Sequence, residues 1–152
     1  MLNIKVDDLT SNEIAAFLQA HIDDMRAMSP PESKHALDLD GLRQPDITFW
    51  SACLGGELVG CGALKQLTPT HGEIKSMRTG VRARGNGVGS AMLQHILAEA
   101  RKRNYSRLSL ETGSMDFFKP AHRLYERHGF EFCGPFANYR EDPNSLFMTL
   151  AL

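Results

Sequence analysis

The 152-residue sequence has almost no excess charge of either sign: seventeen Lys and Arg stand against eighteen Asp and Glu, for a net charge of −1. Bulk binding to nucleic acid or to an anionic membrane surface draws on a surplus of positive charge, so neither partner is expected. Long apolar runs are missing too. No window approaches the roughly 18–20 apolar residues that a membrane-spanning helix needs. The opening stretch Met1–Asp8 is too short in apolar run and too acidic for a signal peptide, and a cytoplasmic location is expected. Cysteine is sparse. Cys53, Cys61 and Cys133 are widely spaced without a C-x-x-C pair, which suggests neither a disulfide framework nor a zinc site. Each lies among apolar neighbours and is expected to be a small buried hydrophobe in a reducing compartment. The six histidines lack the i,i+4 pairing of a helical metal site, so no metal is expected.

What is present is ordinary globular composition, 42% hydrophobic and 23% charged, in a length that suits one domain over residues 1–152. No repeat or low-complexity linker divides it. Leu2, Ile4 and Val6 alternate as a strand. Thr10 and Glu13 have capping-box spacing before Ile14, Phe17, Leu18 and Ile22, which predicts a helix over about 11–27. Ser29-Pro30-Pro31 must break it, and a helical turn is expected around Glu32–Leu39, ending at Gly41. Ile47–Cys53 and Leu58–Leu67 flank Gly55-Gly56 as a hairpin, and Glu73–Thr79 completes a three-stranded meander. Val88, Met92, Leu93, Ile96, Leu97 and Ala100 recur at helical intervals and end in Arg101-Lys102-Arg103, cations that suit a helix C-terminus. Strand Arg107–Thr112, a helix opened by Pro120 and stopped at Gly129, and strands Phe130–Cys133 and Leu146–Leu150 follow. The predicted fold is an α/β domain with a mixed, mostly antiparallel sheet, whose parallel crossover lies within 73–112.

The chemically informative stretch is Arg84-Gly85-Asn86-Gly87-Val88-Gly89-Ser90, set between a strand and a helix. Glycines there let successive backbone N–H groups converge on an anion, the helix N-terminus adds its positive dipole end, and Arg84 can add a charge-assisted contact. A Walker A loop is excluded because no Gly-Lys-Ser/Thr closes the run. The dinucleotide fingerprint G-x-G-x-x-G is excluded by the G-x-G-x-G spacing, and too few residues follow Glu111 to complete that fold.

Three elements in order make the sequence resemble the Gcn5-related N-acetyltransferases. The first is Arg84, Gly87 and Gly89, matching Arg/Gln-x-x-Gly-x-Gly/Ala at a helix start. The second is Ala121, Leu124, Tyr125, Gly129 and Phe130. The third is the strand start Glu73-Ile74-Lys75. Ser29–Glu32, Leu110–Gly113 and Asp142-Pro143 are similar to a bacterial branch of that family. The resemblance implies a sheet with a splayed central strand pair flanked by about four helices. It also implies acetyl-CoA as donor and the amine of a small molecule as acceptor. The diphosphate would lie on Arg84, Gly85, Asn86, Gly87, Val88, Gly89 and Ser90. The pantetheine arm would pair with Met77, Arg78 and Thr79, where the N–H of Met77 or Arg78 would meet the thioester carbonyl.

Direct transfer needs a neutral amine and a protonated leaving thiol. Glu73 is the first candidate for the base, with Glu32 and Glu111 behind it, and Tyr125 is the candidate acid. None of the cysteines has a recognisable activating base, so no acyl-cysteine is expected. Two departures stand out: Val81 replaces a common Pro, and Phe118 replaces an Asn that often holds the cofactor arm. The acceptor would be bound by Ser29–His35, above all Glu32 and His35, and by Asn138–Asp142. Glu32, Glu73 and Asp142 suit a cationic amine, while Lys75, Arg78 and Arg140 suit a carboxylate, so an amino-acid-like acceptor is expected. Members of the family are often homodimers. The alternative from another class is a CoA-binding sensor without turnover.

Overall fold

The computed structural model describes residues 1–28, 39–80 and 83–152. The elements are β1 (Leu2–Val6), α1 (Asn12–Met28), α2 (Leu39–Leu42), β2 (Ile47–Leu54), β3 (Glu57–Thr68), β4 (His71–Thr79), α3 (Val88–Lys102), β5 (Arg107–Gly113), α4 (Lys119–Arg127), β6 (Glu131–Cys133) and β7 (Ser145–Ala151). This is the order that the periodicity predicts. The seven strands form one sheet in the order β1-β2-β3-β4-β5-β7-β6. Among the described strands only β4 and β5 run parallel, joined through α3.

The two faces of the sheet carry separate cores. On one face α3 buries Val88, Met92, Leu93, Ile96, Leu97 and Ala100 against Trp50, Leu64, Ile74, Leu108 and Leu110, with Tyr125 and Phe130 beside them. A fully buried aliphatic side chain of this kind contributes about 1.5–3 kcal/mol. On the other face Ile14 and Leu18 of α1 and Leu42 of α2 pack on Phe49, Cys61 and Ala63. Neighbouring residues Phe49 and Trp50 are therefore both buried, one in each core. That explains why two adjacent aromatic residues of β2 break a strict alternation of apolar and polar positions.

Two local expectations are corrected, and a third lies mostly beyond the described residues. The cap of α1 is Ser11, whose hydroxyl accepts from the Ile14 N–H at 3.1 Å, whereas the Thr10 hydroxyl donates to Asp8 at 2.6 Å. The side chain one position nearer the helix has the shorter reach to the third amide, so it takes the role. Among the cysteines only Cys61 is buried; Cys53 is half-buried and Cys133 is exposed, because it lies on β6 at the edge of the sheet. The helical turn expected around Glu32–Leu39 falls mostly outside the described residues, and the helix seen there begins at Leu39. The Gly55-Gly56 hairpin is as predicted, with φ of +58° and +83° that suit a tight two-residue turn.

Candidate active site

Strands β4 and β5 are paired at four positions only, from His71↔Arg107 to Ile74↔Leu110. Beyond them β4 runs on to Thr79 and β5 to Gly113 without pairing to each other. The edge of β4 from Lys75 to Thr79 therefore faces a split in the sheet. A bulge sets the direction of that edge. Against β3, Lys75 pairs with Ala63 but Arg78 with Cys61, so β4 carries one residue more than its partner. Ser76 adopts φ +55° there. The extra residue changes which face each side chain takes. Glu73, Lys75 and Arg78 share the α1 face, while Met77 turns into the α3 core and packs beside Met92 and Ile96 near Gly62.

The end of β4 meets the glycine turn. Gly85 and Gly87 have φ of +84° and +79°, a conformation that L side chains rarely adopt, and a Cβ at either would meet nothing within 4 Å. The turn thus bounds open space. Gly87 caps α3 with no side-chain hydrogen bond. The Val88, Gly89 and Ser90 N–H groups are consequently first-turn amides with no acceptor inside the helix. Gly89 is the close approach: a Cβ would lie 3.2 Å from Leu124 Cδ2 and 3.5 Å from Thr79 Oγ1, so β4, α3 and α4 converge there. Arg84 and Asn86 are exposed beside the turn, whereas the Val88 side chain is buried in the core, leaving only its backbone to the site. Ser90 Oγ and His128 Nε2 are in hydrogen-bond contact at 3.0 Å.

Tyr125 lies on α4, 6% exposed, its ring 5.7 Å from Phe130. Its hydroxyl makes no hydrogen bond among the described residues. Burial pushes this phenol well above its ordinary value, so it is protonated at neutral pH. Glu73 is on the opposite face and is 3% exposed. Its Oε2 accepts from the Lys75 ammonium at 3.1 Å and from the Tyr139 hydroxyl at 2.5 Å, and Lys75 also donates to the Tyr139 oxygen at 3.0 Å. Burial first, then the Glu73 charge and hydrogen bond, push the Tyr139 phenol strongly upward. The cluster floors a cavity of ≈ 950 Å³ that is walled by Lys65 and His71 on one side and Asn138–Asp142 on the other. The Arg78 guanidinium bonds to Asp24 of α1 at 2.7 Å over the Phe17 ring, so its side chain is committed to holding α1 on the sheet.

Of the predicted residues, the fold brings Met77–Thr79 and Arg84–Ser90 to one mouth. It brings Glu73 together with Asn138–Asp142. Tyr125 and Glu73 lie on opposite faces of the sheet. Glu32 and His35 lie outside the described residues, as does Val81. Phe118 is buried and fills the space over Gly113, where a Cβ would collide with its ring. One group escaped the sequence reading, Lys65, paired in register with Glu73 from β3; Tyr139, set in an irregular loop, falls within the expected Asn138–Asp142 but was not singled out there. The dense run Asn138-Tyr139-Arg140 was the only signal for the latter. Among the described residues, no cluster of His, Cys, Asp and Glu that could hold a metal occurs, and no helix is long and apolar enough to cross a membrane.

The split edge and the uncapped helix beside it lie together at one end of an α/β domain. Comparison with known proteins gives the particular family. The pattern of the acetyltransferase (GNAT) family matches residues 12–130. The uncharacterized N-acetyltransferase YsnE of Bacillus subtilis is 58% identical over 99% of this chain and 100% of its own length. A candidate acyl-CoA N-acyltransferase of Klebsiella pneumoniae superposes with a TM-score of 0.80 at 30% identity, covering 100% of this chain and 98% of that one. A GNAT family acetyltransferase of Elizabethkingia anophelis, solved with acetyl-CoA bound, shares the fold at a TM-score of 0.67 and 16% identity, over 99% of this chain and 98% of that one. The chain belongs to the acetyltransferase (GNAT) family and is an N-acetyltransferase.

Proposed function

We propose that this enzyme moves an acetyl group directly from acetyl-CoA to the amine of a small, amino-acid-like molecule. The observation that carries the reading is the parting of β4 from β5 after Ile74, which leaves a strand edge leading into the glycine turn. The residues present fit the donor: open space borders Gly85 and Gly87, and first-turn amides lack acceptors. The backbone of Gly85–Ser90, with Arg84, would hold the diphosphate, and Met77–Thr79 would hold the extended arm by main-chain pairing. Acetyl-CoA supplies an activated acetyl thioester. Glu73 would take a proton from the acceptor amine, and Tyr125 would hold the proton destined for the leaving sulfur. Protonated Tyr125 and a carboxylate at Glu73 are the states that these tasks require.

The acceptor reading rests on the cavity. Carboxylates (Glu73, Asp142) and cations (Lys75, Arg140) line the same space, which suits a molecule carrying both charges. The test is thiol release: purified protein with acetyl-CoA is expected to liberate free thiol when given members of a panel of amines and amino acids. Tight acetyl-CoA binding without thiol release across that panel would overturn the small-amine acceptor.

A further inference from the structure

We infer that Tyr139 is a positioning residue: with Lys75 it clamps one carboxylate oxygen of Glu73, so that the other oxygen is the one offered to the acceptor amine. This rests on the reading of Glu73 as the group that takes the amine proton. Every hydrogen bond to Glu73 among the described residues ends on Oε2, from Tyr139 and from Lys75, while Oε1 has none. A carboxylate 3% exposed normally has both oxygens satisfied. Here the unpartnered oxygen belongs to a side chain that lines the ≈ 950 Å³ cavity.

The clamp is closed on itself. Lys75 Nζ bonds to both other members, so the ammonium, the carboxylate and the neutral phenol form a ring of three contacts with no net charge. The phenol is the donor to Glu73 because its strongly raised proton affinity keeps it protonated. Stacking fixes its ring, 5.0 Å from Phe136 and 5.5 Å from Phe147. A side chain from the loop between β6 and β7 thereby sets the rotamer of a carboxylate on β4, and with it the direction of proton transfer. In the step itself the amine N–H bond breaks and its electron pair stays on nitrogen. The proton bonds to Oε1, leaving a neutral acid clamped through Oε2, and it later leaves to cavity water. The freed pair forms the bond to the acetyl carbon as the C–S bond breaks onto sulfur, which takes the Tyr125 proton; the acylated nitrogen then sheds its remaining extra proton to water, and Tyr125 regains one from solvent.

The test is a double-mutant cycle with a readout that does not depend on turnover. Glu73→Gln is expected to lower kcat about 100-fold and Tyr139→Phe about 10-fold, with the KM for acetyl-CoA unchanged. In the double variant the Tyr139 change is expected to cost nothing further, because it acts only through Glu73. In the free enzyme, the ¹³C resonance of the Glu73 carboxyl, assigned by its loss in Glu73→Gln, is expected to move in Tyr139→Phe. Phe keeps the ring contacts, and equal melting temperatures would show that the fold is kept. A Tyr139→Phe cost of the same size in both backgrounds, or an unmoved carboxyl resonance, would overturn the clamp while leaving Glu73 in place. Undiminished turnover in Glu73→Gln would remove the base, and the clamp with it.

Discussion

The thiol of Cys61 on β3 donates a 3.1 Å hydrogen bond to the carbonyl of Ser76, the residue that bulges from β4. A bulge leaves a backbone group outside the ladder, and a buried carbonyl without a donor would cost about 1–3 kcal/mol. The thiol supplies the donor from the facing strand. It thereby stabilises the irregularity that turns Met77 into the core and sends Arg78 toward α1.

Burial also makes Cys61 chemically inert. Burial is the main cause that pushes its thiol up to about 12, so almost no thiolate exists at pH 8. Alkylation of the native protein at that pH, read by mass spectrometry, is expected to label exposed Cys133 and to spare Cys61 until denaturant is added. Native labelling of Cys61 would show that the bulge is open in solution.

Gly87→Ala separates folding from binding. Its φ of +79° costs an L side chain about 1–2 kcal/mol, but a Cβ meets no atom of the protein. A modest drop in melting temperature is expected, together with at least a tenfold weaker Kd for acetyl-CoA by calorimetry, because the methyl intrudes on the space assigned to the diphosphate. Affinity equal to that of the parent would place the diphosphate elsewhere.

For Tyr125→Phe the two effects should also part. The hydroxyl has no hydrogen bond among the described residues, so stability should change by less than about 1 kcal/mol. Turnover should fall about 10–100-fold if that hydroxyl protonates the departing sulfur, with acetyl-CoA affinity unchanged. Parent-like turnover would return Tyr125 to a packing role.

His21 of α1 gives a pH signature of the second core. Burial, and then the nearby Arg78 charge, push its imidazole down to about 4 from 6.5, with Asp24 opposing. Between these values the unfolded chain binds a proton that the folded chain refuses. Stability is therefore complete above pH 6.5 and falls as the pH drops toward 4, by about 3 kcal/mol at most for a shift of this size. Urea unfolding from pH 4.5 to 7.5 is expected to show this slope flattened in His21→Gln. The same slope in both proteins would assign it to other groups.

The helical stripe of α3 and the Gly55-Gly56 and Gly129 stops were legible because each depends on local period or local φ. The glycine turn was legible for the same reason: a run of glycines between a strand and a helix restricts what the backbone there can be. Glu73 was singled out from its place at the strand start, but its contacts with Lys75 and Tyr139 were not. Lys75 is two residues away and reads as surface charge, since no local rule announces that its ammonium is nine-tenths buried. Tyr139 lies 66 positions from Glu73, in a loop without periodicity. The cap of α1 was misassigned by one residue, because Thr10 and Ser11 offer the same chemistry and only backbone geometry chooses between them.

By itself, then, the sequence determined the elements, their order and the glycine turn, all properties of short, continuous segments. The tertiary structure alone decided where β4 parts from β5, which way the bulge aims each side chain, and which oxygen of Glu73 is left free. Those outcomes depend on contacts between residues far apart in the chain, and pairing across such distances is set by the whole packed sheet rather than by any local pattern.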